Sequence, residues 1–411
     1  MRIGIVDGYS TSRHLVRELR EHGVECVHVR SQETPPSVYS RSFDSSLYLA
    51  DLGWTMDDAV AARRIRHFGV DQIVPGTESG VALADALNAR LGLPGNRIGL
   101  SSARRDKAAM ATTLRSAGLD APKGATVQSP NEAADWFAQW PIQSAVVKPQ
   151  SSAGTDNVRI CHSAQECADA CESVLGARDF FGNPNKAALI QEYVDGPEYM
   201  INTVSQGGVH KVVEIIYSGK LSGPDGAPIY DYMEPVSANS PSASKLIPYV
   251  KSVLSALGID NGAAHNEVRL SQRGPVLIET GARLGGATIP NVIKKHCGTS
   301  QMHMLSLSLL GGGGFASFDE QSVSWSGALR CVSLISHVDG VSPQAKWQGV
   351  LRALRTFEDM ATRVSAGDVV RRTVDLGSSP GFVYLASEDR GEVEQDYARV
   401  RSLETPDFYL T

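Results

Sequence analysis

The sequence predicts a chain of mixed α/β and α+β class, divided into two or three domains. Three observations predict it. At 411 residues the chain is longer than one hydrophobic core usually serves. Over its first hundred residues, short apolar runs alternate with helix-like segments that stop at glycines, which predicts a small parallel sheet with crossover helices. Further on, short alternating runs flank local turns, as paired strands do.

Composition narrows the class. Hydrophobic residues make up 42% and charged residues 20%, the balance of a soluble globular protein. A net charge of −6 argues against a nucleic-acid backbone as the main partner. No apolar run approaches the ~20 residues of a membrane span, so no membrane partner is expected. MRIGIVDG reads as the start of a strand and not as a secretion leader. Six cysteines in a chain of this length make no disulfide framework, and Cys161, Cys167 and Cys171 lack zinc-site spacing. A cytoplasmic location with reduced thiols is expected.

Taken in order, RIGIV (2–6), CVHVR (26–30) and DQIVPG (71–76) read as strands, and residues 11–22, 57–67 and 79–91 as the helices between and after them. The first turn, DGYSTSR, lacks the glycine fingerprint of a dinucleotide site, which disfavours a dehydrogenase. Glu78, in GTESG (76–80), lies where open α/β sheets place ligands, but is expected to cap the next helix. Residues 101–118 read as a helix capped by Ser101 or Ser102 and holding Lys107. In SAVVKPQSSAGTDNVRIC (144–161), a strand presents Lys148, Pro149 stops the ladder, and a small-residue loop leads to a second strand. Such a loop beside a lysine suits an anion, or is simply a hairpin tip. Ser163 and Glu166 form a capping box.

ALIQEYVDGPEYMINTV (188–204) reads as strand, turn and strand, with Gln191 and Glu198 on either side of the turn. Residues 222–242 are rich in Gly, Pro and Ser and read as a lid, a binding loop or a disordered connection. Asp231 and Glu234 there are candidates to read a substrate amino group. Helices are expected at 244–257, 291–296, 300–310, 347–355 and 391–402, and strands at 328–336 and 382–386.

The centre of the chain is AAHNEVRLSQRGPVLIETGARLGGATIP (263–290). Pairing its two alternating runs about Arg273 sets Glu267 opposite Glu279. His265, Glu267, Arg269, Leu277 and Glu279 then share one face, and Val268, Leu270, Val276 and Ile278 the other. Facing like charges are destabilising. Either a divalent cation offsets them, since Mg²⁺ takes carboxylate and phosphate oxygens, or the hairpin carries cross-strand Glu267–Arg283 or Glu279–Arg269 ion pairs. Arg283, four residues on, could grip an anionic oxygen with fixed donors.

The ordered set of Lys107, V-V-K-P with its Ser/Gly loop (146–155), Q-E-Y-V-D-G-P-E (191–198), H-N-E (265–267) and E-T-G-A-R-L-G-G (279–286) resembles the ATP-grasp ligases along nearly the whole chain. Within them it is most similar to the bacterial L-amino-acid ligases, through G-L-P-G-N (92–96) and S-A-G-D-V-V (365–370). The resemblance implies a Rossmann-like domain at 1–100, a central lid subdomain at 101–195 and a larger mixed-sheet domain at 196–411. It implies that Lys107 and Lys148 contact ATP phosphates, and that the loop of Ser151, Ser152, Gly154 and Thr155 closes over them. Gln191, Glu192, Tyr193 and Val194 would form the adenine hinge, with Glu198 on the ribose. Glu267 and Glu279 would hold Mg²⁺, or Mn²⁺ in its place. Arg283 would grip the acyl phosphate with His265 near, and Gly285 and Gly286 would border the substrate.

Two positions depart from the common family pattern: Gly281 stands where many members carry a metal-binding Asn, and Gln191 where Glu is frequent. The activity implied is ADP-forming ligation of an amino-acid carboxylate to an amine, by a homodimer acting on small molecules. A ligase for another carboxylate or a carrier-bound amine, and a nucleotide-binding module without turnover, are the alternatives.

Overall fold

The computed structural model describes residues 1–411 apart from 153, 155, 224–227 and 287, and apart from the side chains of 37 and 38. Strands β1 (Arg2–Val6), β2 (Glu25–Val29), β3 (Ala50–Asp51) and β4 (Gln72–Pro75) form a parallel sheet in the order β3-β2-β1-β4. Helices Ser12–Glu21, Asp58–Arg66 and Val81–Leu91 accompany it. Their apolar stripes bury Leu15, Val16 and Leu19, then Ala61, Ala62 and Ile65, then Ala84 and Leu87. This is the βα alternation read from the sequence.

A second sheet follows. β5 (Gly124–Val127), β6 (Ala145–Pro149), β7 (Arg159–Cys161) and β8 (Ala188–Glu192) pair antiparallel in the order β5-β8-β6-β7. Helices Pro130–Gln139 and Ala164–Leu175 cover one face, with Ala133, Cys167, Cys171 and Val174 in their shared core. Pro149 does not stop the ladder: it is the last residue of β6 and faces Ala188. β5 and the helix at 130–139 were not anticipated from the sequence.

The third sheet is the largest. β9 (Glu198–Gln206), β10 (Val209–Ser222), β11 (Pro228–Pro235), β12 (Gly262–Ser271), β13 (Gly274–Gly281), β14 (Ala328–Ser333), β16 (Phe357–Thr362) and β18 (Gly381–Ser387) take the order β13-β12-β9-β10-β11-β14-β18-β16. The short strands β15 (Gly340–Val341) and β17 (Val369–Val370) pair beside it. Mixed directions were expected, but every described pairing in the large sheet is antiparallel. β9 to β10, β10 to β11 and β12 to β13 follow one another through short connections, which only antiparallel neighbours permit. Helices Ala243–Ala256 and Lys107–Ser116 pack on one face, burying Leu246, Val250 and Leu254 with Met110 and Leu114.

Three further readings are corrected. Residues 188–204 are not a hairpin: β8 and β9 belong to different sheets, and the segment between them joins the two. Residues 228–235 of the expected loop are strand, because Ile229 and Asp231 point inward while β11 pairs with β10. The helix at 107–116 is capped by Asp106, whose carboxylate accepts from Ala108 and Ala109 N–H, and not by Ser101 or Ser102.

The parallel sheet is tied to the rest by Arg104. Its side chain is fully buried, pairs with Asp85 at 2.7 Å and donates to the carbonyls of Leu257 and Arg97. Asp85→Ala leaves that guanidinium buried without its counter-ion. The expected cost is about 3–5 kcal/mol, read as a large fall in Tm. Asp260→Ala, which breaks an exposed pair with Arg97, should cost about 1 kcal/mol or less.

Candidate active site

Between the second and third sheets lies an open cleft, about 910 Å³ when the solvent space at its opening is counted. Val146 and Ile160 come from the second sheet, Ile278 from the third, and Gln191 to Val194 close the end where the two join. Apolar walls at this end suit a flat ring. At the other end Lys107, Lys148, Glu198, Lys220, Glu267 and Glu279 converge.

The hairpin of β12 and β13 does set Glu267 opposite Glu279. Beyond that pair the register slips by one, through a bulge between Glu267 and Val268. The turn is therefore shorter than the symmetric pairing about Arg273 requires. Leu277 faces Val268 inside the core, and Ile278 turns into the cleft beside Glu279, so both apolar residues change sides relative to the reading from sequence.

Cations surround the two carboxylates. Lys107 Nζ lies 3.0 Å from Glu279 Oε1 and donates to the Ser152 carbonyl. His265 Nε2 lies 3.7 Å from Glu267 Oε1. Burial alone would raise the Glu267 pKa, but the His265 contact and the charges of Lys220 and Arg283 bring it down to about 2. Lys148 is buried, and that burial, with Lys107 near, lowers its ammonium to about 8. Lys220, on a strand not anticipated from sequence, pairs with Glu198 at 2.6 Å. Arg269 takes the other oxygen of Glu198 and donates to the Val194 carbonyl.

Arg283 does not reach across to Glu267, nor does Arg269 pair with Glu279. Arg283 Nε instead donates to Glu78 Oε2 at 3.0 Å, and Arg105 Nη1 donates to Glu78 Oε1 at 2.8 Å. Glu78 is thus no helix cap. It is a buried carboxylate delivered by the parallel sheet, kept ionised against its burial by Arg105 and Arg283. In turn Glu78 keeps Arg283 charged despite burial. This arrangement uses the space above Gly281: a β-carbon there would sit 2.6 Å from Glu78 Oε2.

The remaining predicted residues are placed as follows. Ser152 is buried, donates to Asp156 and accepts from the Phe180 N–H. Ser151 donates to the Arg105 carbonyl, and Gly154 borders the cleft; Thr155 lies outside the described residues. Gln191 is buried at the cleft wall, while the Glu192 side chain accepts from Lys123 N–H and pairs with Arg273. The Tyr193 ring stacks on Arg269. Gly285 and Gly286 line a second cavity together with His265. Asp231 and Glu234, expected to read a substrate amino group, border neither cavity. Asp231 is bound by Arg401 and Tyr397, and Glu234 by Arg330 and Arg390, so both knit β11 to the last helix and its neighbours. Sequence reasoning missed Arg105 and Lys220.

Among the described residues no three or more His, Cys, Asp or Glu side chains cluster to enclose a metal. Two facing carboxylates at the head of an open cleft nevertheless fit Mg²⁺, which keeps water and takes substrate phosphates for the rest of its shell.

The ATP-grasp domain profile matches residues 142–291. Dapdiamide A synthase of Enterobacter agglomerans is 32% identical over 99% of this chain and 96% of its own length. The chain belongs to the ATP-grasp ligases. The ATP-grasp fold is shared with the L-amino acid ligase of Bacillus licheniformis (TM-score 0.74, 18% identity, 98% of this chain and 97% of that one). It is also shared with carboxyaminoimidazole ribonucleotide synthase of Aspergillus clavatus, solved with ATP (TM-score 0.72, 13% identity, 98% and 97%). ATP-grasp ligases use ATP, and this one carries its two lysines and two glutamates in a single cleft.

Three outcomes are expected of this ligase. Phosphates drawn to Lys148 raise its pKa, so nucleotide binding near and just above pH 8 takes up protons, whereas well below pH 8 the lysine is already charged and uptake vanishes. Calorimetry in buffers of different ionisation heat measures this, and Lys148→Arg should abolish the uptake while keeping affinity. Glu78→Gln frees Arg283 to swing, and should lower kcat for ADP release about 10-fold or more with KM for ATP nearly unchanged. Arg283→Ala should cost about 100-fold or more in kcat.

Proposed function

We propose that this ATP-grasp ligase activates an amino-acid carboxylate as an acyl phosphate and joins it to an amine, a second amino acid being the foremost candidate, with release of ADP and phosphate. The observation that carries this is the cleft itself: two facing glutamates ringed by Lys107, Lys148, Lys220 and Arg283 at one end, apolar walls at the other. The dapdiamide synthase and the L-amino acid ligase support the same reading by their names.

A carboxylate is a poor electrophile. Attack of its oxygen on the γ-phosphorus of ATP expels ADP and leaves an acyl phosphate, and the amine then attacks the carbonyl carbon and expels phosphate. The protein's part is to align the groups and to neutralise charge that spreads over phosphoryl oxygens. In this proposal Lys107 and Lys148 bind phosphate oxygens, and Arg283, aimed by Glu78, meets the oxygens of the transferring group. Gln191 to Val194 hold the adenine and Glu198 the ribose. Glu267 and Glu279 would hold Mg²⁺, which when bound supplies charge neutralisation at the phosphates. The Ser151–Thr155 loop shields the acyl phosphate from water. Gly281 removes the third family ligand, and Glu78 occupies its place.

No described helix is long and apolar enough to cross a membrane. All six cysteines are free and buried, which suits a reducing compartment such as the cytoplasm. A cytoplasmic homodimer working on small molecules completes the proposal.

Glu279→Ala should remove nearly all amino-acid-dependent ADP formation while leaving the circular dichroism that of the folded chain. Retained turnover in that variant would count against the carboxylate pair as the metal seat.

A further inference from the structure

The second cavity is separate from the cleft but continuous with its chemistry. Facing residues on paired strands share a face of the sheet. Glu279 faces Glu267, Glu267 faces Met200, Met200 faces Ile216, and Ile216 faces Pro235. One row thus runs from the two carboxylates straight into an apolar floor. Two residues back along β11 is Met233, which faces Cys331, which faces Tyr384. These side chains extend the floor to the far wall. Ile293, Trp325, His265, Asn202 and Gly285 complete the lining. The hollow, counted together with the solvent space it opens onto, is about 460 Å³.

The polar end of the cavity is held in one shape by hydrogen bonds. Asn202 Nδ2 donates to buried Glu214, so Asn202 Oδ1 is left to meet His265 Nδ1 at 2.7 Å. Gln301 Oε1 accepts from the Gly285 N–H at 2.8 Å. A β-carbon at Gly285 would come within 3.2 Å of His265 Nδ1 and 3.3 Å of Asn202 Oδ1. At Gly286, which also lines the cavity, a β-carbon would meet nothing within 4 Å, so this position has room for added bulk.

Among the described residues no Asp, Glu, Lys or Arg lines this cavity. Burial also pushes the Cys331 thiol up to about 12 and raises the Tyr384 phenol, so both walls stay neutral. A charged side chain brought among these apolar residues would lose its hydration.

Resting on the ligase reading above, we infer that this cavity seats the side chain of the carboxylate substrate, and that this side chain is uncharged and apolar, of the branched aliphatic or thioether kind. The row from Glu267 through Met200 to Ile216 gives the direction. A carboxylate held at the glutamates and Arg283 directs its own side chain along the floor, away from the nucleotide. Methylene contacts in such a pocket are worth about 10-fold or more each in kcat/KM.

The test uses the full chain with ATP, Mg²⁺ and one L-amino acid at a time, with hydroxylamine as the amine. Hydroxylamine nitrogen attacks the acyl carbon and phosphate leaves, so the hydroxamate reports activation whatever the natural amine. Leucine, methionine or valine should exceed aspartate, lysine and serine by about 100-fold or more in kcat/KM. Met233→Ala should raise phenylalanine relative to leucine about 10-fold, with KM for ATP unchanged. Gly286→Val should lower leucine more than alanine. If a charged or hydroxylated amino acid is preferred, the inference fails and the ligase reading stands. An aliphatic preference that neither variant moves also overturns it, because the side chain then sits elsewhere. If no amino acid supports ADP release or hydroxamate, the ligase reading itself fails.

Discussion

Two carboxylates facing each other across a β-hairpin are a standing repulsion, and the architecture is arranged to answer it. Glu267 and Glu279 sit in a half-buried cleft where like charges cost more than they would in water. The answer comes from all sides. Lys107 opens a helix packed on the large sheet, Lys148 ends a strand of the second sheet, Lys220 rises from β10, and Arg283 is held by a carboxylate from the parallel sheet. Each cation is itself expensive to bury. The ring is therefore stable only as a set, and it is poised for a polyanion that relieves the lysines of their mutual repulsion.

The same constraint explains why the cleft lies between two sheets and not within one. A single sheet offers side chains on a face, all projecting the same way. Opposed sheets allow cations from one to meet anions of the other across a ligand-sized gap. The segment from Glu192 to Glu198 joins them, and its ends are pinned by Arg273 on Glu192 and Arg269 on Glu198. Both arginines come from the hairpin that bears the glutamates, so the joint and the charged pair are mechanically one piece.

Much of this was legible in the sequence where the signal is local. Period-two alternation about a short turn was enough to pair Glu267 with Glu279, and glycine-terminated helices gave the parallel sheet. The one-residue slip beyond Glu267 was not legible, because a bulge and a longer turn conserve the same pattern of residue types up to that pair. β10 and β11 were hidden by their own irregularity: two register shifts, a glycine-rich connection, and polar residues such as Glu214, Lys220 and Asp231 that are satisfied by partners far along the chain. Glu78 was misread for the same reason. Its local setting at the start of a helix is that of a cap, and the two arginines that claim it lie 27 and 205 residues away.

The close fit above Gly281 has a consequence for how such sequences can vary. A side chain there would press on the Glu78 carboxylate and push it off Arg283. The smallest residue of the hairpin thus sets where a guanidinium from the same segment points, through a carboxylate that belongs to another domain.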